Sequence, residues 1–339
     1  MSRELCLRDI YRARHRIGSG IRKTPMQLST CLTGASGSDI HLKLEHLQIT
    51  GSFKLRGATN AVRALSDAER RRGIVGVSTG NHGRGLAHAA RQAGAKCVIC
   101  MSELVPANKV EAIGALGADI RITGRSQDDA ALEADRLVAG EGMVMLPPFD
   151  HPDVIAGQGT LALEILEDLP DVDTVLVPLS GGGLISGVAL GLKSASPDIR
   201  VIGISMERGA AMIESQRSGK PVPVEEVPTL ADSLGGGVGL HNRHTFRMVR
   251  DLVDETITVT EAEIAAAIRH AYANERQVVE GAGAVGIAAL LAGKVSSPGR
   301  TVALVSGGNI DMDLHRRIIG GEDVDLPAET SNNRDSVHA

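Results

Sequence analysis

Four stretches of this chain gather side chains that could do chemistry, and each sits against glycine. In Gly51-Ser52-Phe53-Lys54-Leu55-Arg56-Gly57-Ala58 a lysine opens a helix that would run on through RGATNAVRAL. Partial burial and the positive end of that helix would both lower the lysine pKa, and a neutral amine is what forms a Schiff base with a carbonyl. A lone lysine in a first helical turn is ordinarily solvated, so the other stretches decide. Ser78-Thr79-Gly80-Asn81-His82-Gly83-Arg84-Gly85 lies between the run GIVGV and a helix, and such a turn aims amides and short polar side chains at one point, as a carboxylate or phosphate needs. A merely capped helix would read the same way. Ser180-Gly181-Gly182-Gly183-Leu184 repeats the strand, glycine turn, helix order and leaves several amides free for a phosphate. The last, Ser306-Gly307-Gly308-Asn309, ends a strand in a hydroxyl that could meet a ring nitrogen.

Two rival readings concern the third stretch and the cysteines. The glycine loop is no Walker A motif, because no Gly-Lys-Ser/Thr follows. It comes nearer a dinucleotide fingerprint, with Ser186 where the third glycine would stand and Glu207 at the end of the next strand as a ribose-binding acid. That nicotinamide alternative leaves Lys54 and Asn81 without a use. Cys97 and Cys100 have a CxxC spacing, yet AKCVICMS reads as a buried strand and no second pair completes a zinc site, so both are expected to be core thiols.

Positioning these turns requires alternating strands and helices. Apolar runs at 73–77, 96–100, 119–122, 174–177, 201–205 and 301–305 are separated by amphipathic stretches at 85–93, 110–116, 128–139, 185–193 and 262–275, the pattern of βα units around parallel sheets. The class is α/β. Composition narrows the partners: 36 basic against 41 acidic residues give a net charge of -5, and two Tyr, three Phe and no Trp leave no platforms for bases, which excludes a nucleic-acid surface. No run approaches the roughly 20 apolar residues of a membrane span, and the charged start is unlike a signal peptide, so a cytoplasmic protein is expected.

The motifs Gly-Ser-Phe-Lys-x-Arg-Gly-Ala, Ser-x-Gly-Asn-His-Gly, Val-Pro-x-x-Gly-Gly-Gly-Leu and Ser-Gly-Gly-Asn, together with the segment at 148–160, resemble in this order the fold-type II pyridoxal 5'-phosphate (PLP) enzymes, and among them the serine/threonine dehydratases and serine racemases. The likeness spans roughly residues 20 to 315. It implies two open parallel-sheet α/β lobes, tryptophan synthase β-like, with the cofactor in the cleft: a large lobe of residues 1–71 and 150–321 and a small lobe of 72–149. The last residues, EDVDLPAETSNNRDSVHA, are polar without periodicity, and a mobile tail is expected at 322–339. The resemblance implies that Lys54, beside Phe53, carries PLP and serves as base at Cα. Asn81 is expected on the ring oxygen, Ser180, Gly181, Gly182, Gly183 and Leu184 on the phosphate, Ser306 on the pyridine nitrogen, and Ser78, Thr79 and His82 on the substrate carboxylate. A homodimer is a further family expectation.

The resemblance also implies a reaction. A serine cannot keep the pyridine protonated, so the ring is a weaker electron sink and elimination of a β-hydroxyl is favoured over a long-lived carbanion. Racemisation or β-replacement is the alternative; Thr79 stands where racemases carry a serine that acts catalytically on the opposite face of Cα, which leaves racemisation open. No metal is expected: a relative's site would use Glu207, but its next acid falls on Met212 or Ile213. The stretch Thr229 to Leu240 departs from threonine dehydratases and is similar to the hydroxyectoine-utilisation dehydratases, implying a hydroxylated diaminobutyrate derivative. The chain ends soon after Asn309, and feedback through a C-terminal regulatory domain is not expected.

Overall fold

A computed structural model describes residues 4–324, except Thr79 and Pro106; most of the tail expected over 322–339 lies outside the described residues. The strands are β1 (Met26–Leu28), β2 (Ile40–Leu44), β3 (Ile74–Val77), β4 (Cys97–Met101), β5 (Asp119–Ile122), β6 (Val144–Met145), β7 (Thr174–Pro178), β8 (Arg200–Met206), β9 (Glu255–Val259) and β10 (Thr301–Val305). They form a six-stranded sheet of order β1-β2-β10-β7-β8-β9 and a four-stranded sheet of order β5-β4-β3-β6. Among the described strands, every pairing except antiparallel β1 against β2 is parallel, and an isolated antiparallel bridge joins Ser52 and Gly307. All six apolar runs read from the sequence are strands. The two short strands β1 and β6 lack enough residues to show a pattern. In β2, the fully buried Lys43 interrupts the apolar run; its Nζ reaches Glu164 at 2.8 Å and donates to the Thr24 carbonyl at 2.7 Å.

Each sheet is covered on both faces, and alternate residues of a strand feed different cores, as a period of two requires. In β10, Val302 and Leu304 pack with the helices Pro152–Asp168 and Gly183–Ala195, while Ala303 and Val305 pack with the helices Glu261–Ala273 and Gly281–Leu291. The same alternation separates the CxxC pair. Cys97 faces the core containing Ile99 and Met101, and Cys100 faces the opposite one with Val98. Burial holds their thiols up at about 12 and about 11. Three residues apart on a strand, they cannot share a metal or a bridge.

The helix Lys54–Ala64 joins the two sheets. Its residues Ala58, Ala61 and Val62 enter the core under the four-stranded sheet. Its first turn is bolted to the other side by Arg56, which is fully buried. The guanidinium donates to Glu45 at 2.7 and 2.8 Å and to Glu164 at 2.6 and 3.0 Å, two bidentate pairs at once. Two buried cations, Arg56 and Lys43, thus meet two buried carboxylates, and the carboxylates hold the arginine pKa up against its burial.

Candidate active site

The four glycine-bounded stretches converge at the carboxyl ends of the strands, where parallel α/β sheets bind ligands. β10 ends at Ser306, and the loop before Lys54 is stitched to the residues after it: the Phe53 amide donates to the Ser306 carbonyl at 3.0 Å, the Gly308 amide to the Gly51 carbonyl at 2.9 Å. β7 leads into Ser180–Gly183, and β3 into Ser78–Asn81. Lys54, Asn81, Phe149, Ser180 and Glu280 line both of two cavities, of about 220 and about 50 Å³.

Lys54 lies at the junction. Its Nζ donates to the Pro148 carbonyl at 3.0 Å and stands 5.4 Å from the Phe53 ring centre. Burial lowers its pKa to about 8, an effect the Glu280 carboxylate partly offsets. Such an amine is neutral at pH 7 more often than an exposed lysine by roughly two to three orders of magnitude.

Gly182 starts the next helix at a φ of +87°, and the amides of Ser180, Gly181 and Gly182 donate to nothing among the described residues. A Cβ on Gly181 would stand 2.4 Å from the Phe149 ring, so only glycine leaves the cradle open. Ser306 and Leu184 line the same cavity, and the Ser306 hydroxyl has only a long contact of 3.4 Å to the Ala282 carbonyl. Free amides at a helix start, a desolvated lysine and a loosely held hydroxyl at the far end fit the phosphate, the aldehyde and the ring nitrogen of PLP.

Across the cleft, the helix Asn81–Gln92 approaches so closely that a Cβ on Gly85 would lie 3.3 Å from the backbone of Lys54 and Leu55. Helix formation begins at Asn81, earlier than its apolar pattern suggests, because the Ser78 hydroxyl accepts from the Gly80 and Gly83 amides at 3.3 and 3.1 Å. The His82 ring is buried and bonds the Leu146 carbonyl at 2.9 Å; burial and the nearby Lys54 charge depress its pKa to about 3. It therefore contributes to the cavity as a neutral ring turned onto the backbone, leaving its amide at the helix start for an anion. Thr79 lies outside the described residues.

Sequence reasoning missed Glu280. This carboxylate accepts from Asn81 Nδ2 at 2.7 Å and from the Asn309 amide at 3.1 Å, while Asn309 Nδ2 donates to Asn81 Oδ1 at 2.6 Å and to the Thr50 carbonyl at 2.9 Å. Burial, with Asp232 nearby, raises Glu280 to about 7. Between its ordinary pKa near 4.5 and about 7 the folded protein holds a proton the unfolded chain has lost, so this residue makes stability fall as pH rises through that window. Urea midpoints of the cofactor-free protein at pH 5 and pH 7.5 should show wild type losing stability relative to Glu280→Gln. Parallel behaviour of the two proteins would mean that Glu280 does not titrate there.

Residues 17–307 match the family described as pyridoxal-phosphate dependent enzymes. The chain is 58% identical, over 94% of its length and 96% of the other, to a protein of Sinorhizobium fredii named provisionally as a threonine dehydratase. It is 45% identical to an L-threonine ammonia-lyase of Thermotoga maritima, over 93% of this chain and 78% of that one. Among solved structures, maize serine racemase superposes with a TM-score of 0.87 at 35% identity, covering 93% of this chain and 97% of that one. The chain belongs to the pyridoxal-phosphate dependent enzymes, as a carbon–oxygen lyase of the dehydratase or ammonia-lyase kind. The nicotinamide reading of the glycine loop falls with that. Among the described residues no helix is long and apolar enough to cross a membrane.

Proposed function

We propose that the protein acts on a β-hydroxy amino acid, releasing ammonia and a 2-oxo acid. The observation that carries this reading is a desolvated Lys54 amine and a Ser306 hydroxyl in one cavity. Bound there, PLP supplies an electron sink for the bond electrons of the substrate's Cα–H. A hydroxyl partner for the ring nitrogen, in place of an acid, would keep that sink modest, which would favour loss of the β-hydroxyl.

Lys54 would hold the cofactor, and its amine would take the proton from the substrate's Cα; its lowered pKa suits both tasks. Ser180 to Leu184 would hold the phosphate, with Phe53 and Phe149 beside the ring. Asn81 would offer its side-chain amide to the ring oxygen. It is kept in place by Glu280 and Asn309, and these hydrogen bonds tie the helix Asn81–Gln92 to the six-stranded side. Ser78, Thr79 and the His82 amide take the substrate carboxylate at the helix start. Carboxylate binding there would draw the small lobe onto the large one and exclude water. A cytoplasmic homodimer completes the reading.

The substrates offered by the family resemblance are threonine, serine and a hydroxyectoine-derived diaminobutyrate. Incubating the holoenzyme with each, while following 2-oxo acid, ammonia and chirality together, tests the reaction. Ammonia and 2-oxo acid should appear in equal amounts. Loss of chirality without ammonia would make the enzyme a racemase instead.

A further inference from the structure

Besides Lys54 and the His82 ring, which is neutral and bonded to the Leu146 carbonyl, four ionisable side chains line the larger cavity, and three of them have partners. Glu280 is held by Asn81 and the Asn309 amide. Asp232 and Lys109 face each other at 3.3 Å across the mouth. The fourth is Arg84, half-buried on the cavity wall with Lys54, Ser78 and Asn81, and it makes no hydrogen bond or ion pair with any described residue. Burial works against its charge, and only the field of Glu280 opposes that.

A guanidinium stays charged and presents a planar fork of donors that matches a carboxylate. Held half out of water without a partner it is costly, and a bound anion would offset that cost. Arg84 follows Asn81 by three residues and so shares its face of the helix, one turn beyond the start where the α-carboxylate belongs. Asp232, Ser233 and Gly235 border the same cavity.

We propose that Arg84 sets the specificity of the site, and that the preferred substrate is a β-hydroxy amino acid whose side chain ends in a carboxylate. This deepens the dehydratase reading and rests on it. With such a substrate the Cα–H and Cβ–O bonds break and water leaves. The resulting enamine takes a proton at Cβ, and hydrolysis returns the water, so a 2-oxo dicarboxylic acid and ammonia form with no redox partner. A substrate ending in an ammonium would meet Arg84 and Lys109 as like charges, and a terminal methyl would leave the guanidinium unsatisfied.

The test compares kcat/KM of the holoenzyme for 3-hydroxyaspartate, L-threonine and 3-hydroxy-2,4-diaminobutyrate in wild type, Arg84→Gln and Arg84→Lys. Wild type should favour the diacid, and in Arg84→Gln the ratio of diacid to threonine should fall about 100-fold, mainly through KM, with part of it kept by Arg84→Lys. Succinate should raise the melting midpoint of wild type more than butyrate does, and this difference should vanish in Arg84→Gln. A ratio unchanged by Arg84→Gln, with ammonia still released from threonine, overturns the role of Arg84 and leaves the dehydratase standing. Ammonia from none of the three substrates overturns both.

Discussion

Lys54→Ala is expected to lower kcat/KM by at least about 10³-fold, because one substitution removes both the covalent anchor and the base at Cα. The protein should still fold: the side chain lines a cavity, and its one hydrogen bond among the described residues is to the Pro148 carbonyl. Circular dichroism and the urea midpoint of the cofactor-free variant serve as the control, with the midpoint unchanged or raised. Raising is the expected direction at neutral pH, because a lysine whose pKa is lowered from 10.5 to about 8 makes the folded state bind fewer protons than the unfolded one between those values. Its contribution to stability therefore grows as pH rises from about 8 to 10.5 and is unfavourable below. A variant that folds and keeps its rate would remove Lys54 from the chemistry.

The second large effect concerns stability. Arg56→Leu should destabilise the protein by about 3–5 kcal/mol, since it leaves Glu45 and Glu164 buried with Lys43 as the remaining cation of the cluster. Arg56→Lys keeps the charge but loses the two-sided fork, and a smaller loss of about 1–3 kcal/mol is expected. Urea unfolding of the cofactor-free proteins measures both. If the leucine variant should not accumulate as folded protein, the lysine variant still carries the comparison. A loss under about 1 kcal/mol in Arg56→Leu would show that the cluster does not anchor the helix bearing Lys54.

The parts of the site legible in the sequence are those built from consecutive residues. Ser180 to Leu184 can be read as an anion cradle because its chemistry lies in main-chain amides, and glycines announce free amides wherever they fall between a strand and a helix. Lys54 and Asn81 are legible for the same reason, each standing at a helix start beside glycine. Glu280 is not. It precedes GAGAVGIAALL, which as sequence is an apolar core helix, and its role arises from contacts to Asn81 and Asn309, 199 and 29 residues away. Asn309 closes the Ser-Gly-Gly-Asn motif, but nothing local indicates that its side chain would orient Asn81. Arg56 is similar: a charged residue after Lys54 reads as a solvated helix position, and only the meeting with Glu45 and Glu164 makes it a buried bolt.

The fold followed the same division. Strands with uninterrupted apolar runs, such as β4 and β7, were evident from pattern, whereas β2 was hidden by Lys43, whose charge is neutralised by a helix 121 positions further on at Glu164. The insertion of β10 between β2 and β7 is likewise a long-range fact. That insertion places Ser306 beside the Lys54 loop, and with it the two ends of the cofactor site.

That Lys54 carries the cofactor is tested by visible absorption before and after borohydride reduction, followed by mass analysis of the digested protein. A visible band that reduction abolishes and a single pyridoxyl adduct on the peptide containing Lys54 are expected. A colourless protein, or an adduct on any other lysine, would contradict it.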